Sequence, residues 1–181
     1  MRKTLFRFFT IADYMEEEDW LRREHQSGWK LISMTIPGIY TFESCTPEDV
    51  IYRLDFKNNE QTEGYMQMAA DFGWEYFDQC MGWLYFRKPA TAAGAEGDEE
   101  LFSDNASKAE MAEKIMKKRF LPILIIFFCC LIPNMFNSMN GFMGAFSTFF
   151  TIFFGVMFVV YVFLILHCGI KLRKIRDQFK E

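Results

Sequence analysis

The side chains that could carry out chemistry are few and scattered. His25 and His167 are the only histidines in 181 residues and fall in regions of opposite composition, too few for a histidine metal centre or a nucleophile–histidine–carboxylate relay within one domain. Asp55 and Asp71 would make an acid–base pair only if the fold brought them together. Cys45, Cys80, Cys129, Cys130 and Cys168 have no C-x-x-C spacing, and no glycine pattern matches a phosphate loop or a dinucleotide fingerprint. We therefore expect no catalytic set, no metal and no cofactor. The acidic run Glu16-Glu17-Glu18-Asp19 is expected to be the solvated first turns of a helix, where the dipole favours negative charge. His25, near the end of that helix, is expected to favour the C-terminal dipole or simply to be exposed, in place of general-base work.

The elements that must position these groups follow from apolar spacing and turn residues. Leu5–Phe9 reads as a strand. Asp13 starts a helix as N-cap, with Glu16 as capping-box partner, and Gly28 stops it. Two strands follow, Lys30–Thr35 and Ile39–Glu43, turned by Pro37-Gly38. The order then recurs: strand Val50–Phe56, helix Glu60–Phe72 stopped by Gly73, strands Trp74–Cys80 and Trp83–Arg87. Gly28-Trp29 and Gly73-Trp74 take equivalent places, as do Tyr40-Thr41-Phe42 and Leu84-Tyr85-Phe86, which implies one β-α-β-β unit used twice. The fold class expected is α+β, an antiparallel sheet with both helices on one face. Strand alternation assigns Tyr52, Leu54 and Phe56 to the core and Ile51, Arg53 and Asp55 to an open face. On that face Arg7, Arg53, Asp55, Trp83 and Tyr85 form the expected surface for a partner or small ligand.

Behind this domain, residues 89–107 are small and acidic and read as a flexible linker with a span on the order of 25 Å. From Phe120 to Ile170 there is no Asp, Glu, Lys or Arg. That stretch holds two runs, about 120–139 and 145–170, each long enough to cross a hydrocarbon core of about 30 Å. Pro133 and Asn134 are expected to end or kink the first. Residues 1–100 carry net charge −9 and residues 101–181 carry +5. An acidic front argues against nucleic-acid binding, which needs a basic surface. The positive charge brackets the apolar runs instead: Lys114, Lys117, Lys118 and Arg119 before, and Lys171, Arg173, Lys174 and Arg176 after. Basic flanks with an uncharged turn between the spans place both termini in the cytoplasm, with these residues close to anionic lipid.

Several of these segments, Asp19-Trp20-Leu21 with Gly28-Trp29, Tyr52–Phe56, Asp71-Phe72-Gly73-Trp74-Glu75 and Trp83–Lys88, together resemble the bacterial family catalogued as domain of unknown function 2812, over residues 1–88. The resemblance implies paired membrane spans behind the domain (residues 108–181 here) and, from gene neighbourhood, a link to PadR-type transcriptional regulators in a regulatory or stress-response setting. It implies no activity. The expected function is a membrane-anchored cytoplasmic binding or regulatory module in the bacterial cell membrane. An accessory subunit of a membrane complex or transporter is the alternative, and an enzyme the third reading.

Overall fold

The computed structural model describes residues 1–35, 38–56, 62–92, 101, 111, 113–139 and 147–178. The chain divides into two compact units, Met1–Ser107 and Lys108–Glu181.

The first unit runs β1 (Arg2–Phe6), α1 (Tyr14–Gln26), β2 (Trp29–Thr35), β3 (Ile39–Ser44), β4 (Val50–Phe56), α2 (Thr62–Asp71), β5 (Glu75–Cys80), β6 (Trp83–Pro89) and a 3₁₀ turn (Ala90–Ala92). Instead of one six-stranded sheet there are two antiparallel three-stranded sheets, ordered β1-β3-β2 and β4-β6-β5. Their edges β2 and β5 each carry a register shift, between Leu31 and Ser33 and between Tyr76 and Asp78. Such irregularities interrupt the backbone ladder, and side chains bridge the gap. The Asp78 carboxylate accepts from Met34 N–H at 2.6 Å, and Arg87 donates to the Leu31 carbonyl at 3.0 Å.

β1 begins three residues earlier than the apolar run suggested. Its length is set by β3, with Phe6 opposite Ile39 as the last pair. Beyond it Arg7 N–H donates to the Gly38 carbonyl. Gly38 has φ +86°, and a side chain there would collide with the Arg7 carbonyl, so only glycine fits. The helix stops are as expected. After α2, Gly73 N–H reaches Ala70 O and Trp74 N–H reaches Ala69 O, both at 2.9 Å, a Schellman closure with Gly73 at positive φ. Asp13 occupies the N-cap position of α1 but makes no side-chain cap bond; its carboxylate turns back to accept from the Thr10 amide and hydroxyl.

The helices do not share one face. Residues alternate sides along a strand. In β6, Tyr85 meets Glu17 of α1, whereas Phe86 packs on Tyr65 of α2. Ile51, Leu84 and Phe86 form a core with Ala69 and Trp74 under α2, while Tyr52 and Phe77 turn towards α1. The expected open face of β4 is therefore covered, with Ile51 and Asp55 both buried. Ala90 and Leu101 also pack on this core, and Ala90 N–H donates to Asp49 O, so the start of the expected linker is held against the domain. Residues 93–100 and 102–110 lie outside the described residues.

In the second unit, α3 is a helical run in which α-helix (Leu121–Ile126 and Ile132–Met139) alternates with π-helix (Met116–Phe120 and Phe127–Leu131), and α4 is Ser147–Gln178. Both contain a segment long and apolar enough to cross a bilayer, Glu113–Asn137 and Thr148–Ile175. Phe127 packs on Phe158 and Tyr161, with ring centroids 5.4 and 6.2 Å apart. Pro133 and Asn134 do not end α3. Each proline of α3, Pro122 and Pro133, falls two residues after a π segment. A proline ring clashes with the carbonyl four residues back, here at Lys118 and Cys129. The wider π turn gives that carbonyl room. Asn134 is satisfied within the helix by donating to Cys130 O at 2.7 Å. The expected turn between the spans lies within residues 140–146, outside the described residues.

All four tryptophans (Trp20, Trp29, Trp74, Trp83) belong to the first unit, so intrinsic fluorescence of the full chain in detergent reports on that unit alone. Leu84 is fully buried in the α2 core. Urea unfolding followed this way is expected to show Leu84→Ala less stable by about 2–5 kcal/mol and Met68→Ala, at an exposed position, changed by less than about 0.5 kcal/mol.

Candidate functional site

Helix α1 carries the polar groups of greatest interest. Tyr14, Glu17, Glu18, Leu21 and His25 recur at three- and four-residue spacing, so one stripe of the helix holds them all. That stripe is buried. The acidic run is thus only partly solvated: Glu16 and Asp19 face water, while Glu17 and Glu18 are 6% and 8% exposed.

The Glu17 carboxylate accepts from the Tyr40 hydroxyl at 2.8 Å and from the Tyr85 hydroxyl at 2.7 Å. Tyr40 is in β3 and Tyr85 in β6, one from each sheet. Burial raises the Glu17 pKa above the usual carboxylate range, against the lowering effect of the two donors. Both tyrosines are pushed up, first by their own burial and then by the carboxylate they face. Cys80 lies near enough to be pushed up as well, by burial and by Asp78 and Glu17. Next along the stripe, Glu18 accepts from Leu54 N–H at 2.7 Å and meets the Arg53 guanidinium at 3.4 Å. It thereby satisfies a backbone donor on the outer edge of β4, where no strand pairs.

At the far end of α1, His25 is buried rather than exposed, and its Nδ1 lies 2.7 Å from the Tyr52 hydroxyl. The pKa of His25 is lowered, chiefly by burial and then by the Arg87 charge. Burial likewise takes the Tyr52 pKa up to about 12. Arg87 itself is buried over the Phe77 ring, and a two-pronged pair with Glu75 neutralises it. Glu75 is held low by that guanidinium.

The five residues expected to make a ligand face do not gather on one. Tyr85 and Trp83 point to α1, and Trp83 packs between Tyr14 and Phe56. Asp55 lies opposite Leu84 on the α2 side, buried, where its charge adds to burial in raising the Tyr65 pKa. Arg53 reaches round the sheet edge to Glu18. Arg7 is exposed, with its guanidinium over the Phe9 and Trp20 rings. Of the basic residues, Lys117 pairs with Glu113 at 2.7 Å, and Arg173 and Lys174 are exposed on α4. Arg119 and Arg176 have side chains outside the description. Among the described residues, no three His, Cys, Asp or Glu side chains gather as a metal site.

The domain exposes large apolar side chains, among them Met1, Met68 and Phe72 and a set around the last pair of β1 and β3. Phe6 and Ile39 form the last pair of β1 and β3 and are 71% and 38% exposed. Phe8 follows Arg7, packed beside Gly38, and is 62% exposed. Met15, in the first turn of α1, and Met81, in the β5–β6 turn, are also exposed.

A family model described as "Protein of unknown function (DUF2812)" matches residues 13–125, which takes in both helices and five strands of the first unit and continues into α3. This chain belongs to the DUF2812 family. The match extends past Lys88, where the motif resemblance stopped, as far as Ile125 inside the first apolar segment. Neither the curated proteins nor the solved structures contain a match to this DUF2812 chain.

Two pH responses of opposite sign follow. The raised pKa of Glu17 means the folded state holds its proton more tightly than the unfolded chain, so this group adds stability as pH falls towards the ordinary carboxylate value and costs stability above it. Glu17→Gln, which keeps an acceptor for both tyrosines, is expected to gain on wild type as pH is raised from about 4.5 to 8 in thermal melts. A gap independent of pH would show Glu17 to be ionised normally. The lowered pKa of His25 works the other way, with stability present above about 6.5 and lost as pH falls through the window beneath it. His25→Gln is expected to remove that loss, read as a flatter melting profile below pH 6.5.

Proposed function

We propose that this chain is a two-span membrane protein whose first unit is a binding module on the cytoplasmic side, working through a protein partner or small ligand in a regulatory setting. The observation that carries the reading is the placement of charge. Basic residues cluster just before Phe120 and just after Ile170, and no Asp, Glu, Lys or Arg falls between those two positions. Basic flanks are retained on the cytoplasmic side, so the two helices would form a hairpin with both termini inside. The order of the first eight elements, with a register shift in β2 and another in β5, supports reading the domain as one β-α-β-β unit used twice.

Within the domain, the polar groups of α1 are occupied by internal hydrogen bonds, which favours binding over chemistry at those groups. The exposed end formed by Phe6, Phe8, Met15, Ile39 and Met81, with Arg7 among them, takes over as the contact surface from the face expected from strand alternation. Apolar anchors beside an arginine are the composition of energetically important interface residues.

Topology and contact are tested separately. Protease added outside intact cells is expected to leave the first unit whole, whereas protease added to inverted membrane vesicles should remove it; digestion from outside would overturn the cytoplasmic placement. A photoreactive residue placed at Phe8 in the full chain should give a discrete cross-linked species in cells, absent with the same probe at Glu43. Identical patterns from the two positions would remove this end of the domain from the proposal.

A further inference from the structure

The second unit contains a groove that its place in a membrane does not by itself require. Met116 and Leu124 of α3 and Ile165, Leu166, Gly169, Ile170 and Arg173 of α4 line a hollow of about 350 Å³. Its walls are apolar except for Arg173, the last lining residue of α4. From Met116 to Leu124, and equally from Ile165 to Arg173, the lining spans eight residues, or about 12 Å of helix at 1.5 Å each. One leaflet is half of a hydrocarbon core of about 30 Å, so the groove runs nearly the depth of a leaflet. It starts at the basic band and ends in hydrocarbon.

Gly169 lines the hollow without a side chain, so a larger residue there would take up part of its volume. The charge near the mouth is mainly basic, with Glu113 and Asp177 the acidic residues among the described positions there. Arg173 and Lys174 are exposed on α4, and Lys117 and Lys118 are exposed beside Met116 on α3, with Lys117 already paired to Glu113. A guanidinium offers two parallel donors to a phosphate, a geometry that lysine does not match. Apolar walls the length of an acyl chain, ending at an arginine within a basic cluster, are complementary to one class of molecule.

We propose that this groove is a binding site for a single anionic phospholipid, its acyl chain lying along Leu124, Ile165 and Gly169 and its phosphate on Arg173. This rests on the membrane reading above. It goes further in that the site distinguishes lipids by headgroup charge, so that the protein holds one leaflet lipid in a fixed place.

The test uses full-length protein in a mild non-ionic detergent, with lipid retained per protein counted by native mass spectrometry. Dioleoylphosphatidylglycerol and dioleoylphosphatidylcholine share chains and differ in headgroup charge. Wild type is expected to retain one phosphatidylglycerol at roughly tenfold lower lipid concentration than phosphatidylcholine, a difference of about 1.4 kcal/mol. Arg173→Gln should cut that preference several-fold while leaving phosphatidylcholine binding unchanged. Gly169→Leu should weaken both lipids by filling the groove. If Gly169→Leu loses helix by circular dichroism, Leu124→Phe takes its place, narrowing the groove from the other helix. Equal retention of the two lipids by wild type overturns the proposal, as does a preference untouched by Arg173→Gln. Displacement of bound phosphatidylglycerol by millimolar glycerol phosphate would show a phosphate site without a chain, and a dimer lost on Gly169→Leu would show a second copy seated there; each also overturns it. Recovery of the protein in the soluble fraction without detergent would instead remove the membrane reading. A detergent-dependent protein with no lipid preference removes only the groove.

Discussion

The first unit depends on one carboxylate accepting two phenolic protons. Among the described residues the two sheets share no backbone ladder, and α1 bonds to both. Glu17 lies where α1, β3 and β6 converge, and the hydroxyls of Tyr40 and Tyr85 reach it from separate sheets. An isolated buried carboxylate is costly; one that receives two hydrogen bonds is tolerated and fixes its neighbours in direction as well as distance. The rings that bring those hydroxyls are themselves fully buried, so the polar point and the apolar core are built by the same residues. Trp20 closes the first sheet over Tyr40 and Phe42, and Tyr14 closes the second over Trp83. α1 is in effect the shared third layer of two incomplete sandwiches, and Glu17 sets how they meet.

Much of this was legible in the sequence and a definable part was not. Element order, both glycine helix stops, the antiparallel pairing and the two apolar segments follow from local pattern, because turns and helix ends are decided by a few adjacent residues. The side on which each helix lies is a tertiary choice. Alternation in β4 separates Tyr52 and Leu54 from Ile51 and Asp55 without saying that both sides are covered, and the expected ligand face failed for that reason. The buried acids were within reach. Read with Tyr14 and Leu21, positions 17, 18 and 25 fall on the apolar stripe, but the dipole argument for acids in a first turn is satisfied equally well by solvated residues and conceals the pattern. Nothing local marks Tyr40 and Tyr85 as a pair. Their meeting depends on β3 and β6 lying on either side of one helix, forty-five residues apart.

The same constraint, that a buried backbone polar group must find a partner, accounts for the irregular features in both units. At sheet edges the partners are side chains. Glu18 takes the Leu54 amide on the outer edge of β4, and Asp78 and Arg87 take an amide and a carbonyl of β2 where the register shifts. Each such contact takes one backbone group that another chain could otherwise pair with. In α3 the helix changes its own winding: a π turn stands ahead of Pro122 and another ahead of Pro133, and the run stays helical to Met139, with Asn134 donating to the Cys130 carbonyl. A π turn carries more residues per turn than the α-helix around it, so each one changes which side chains of α3 come round to face a neighbour. The hollow on which Gly169 opens is lined on the α3 side by Met116, the first residue of the π turn Met116–Phe120, and by Leu124 beyond it.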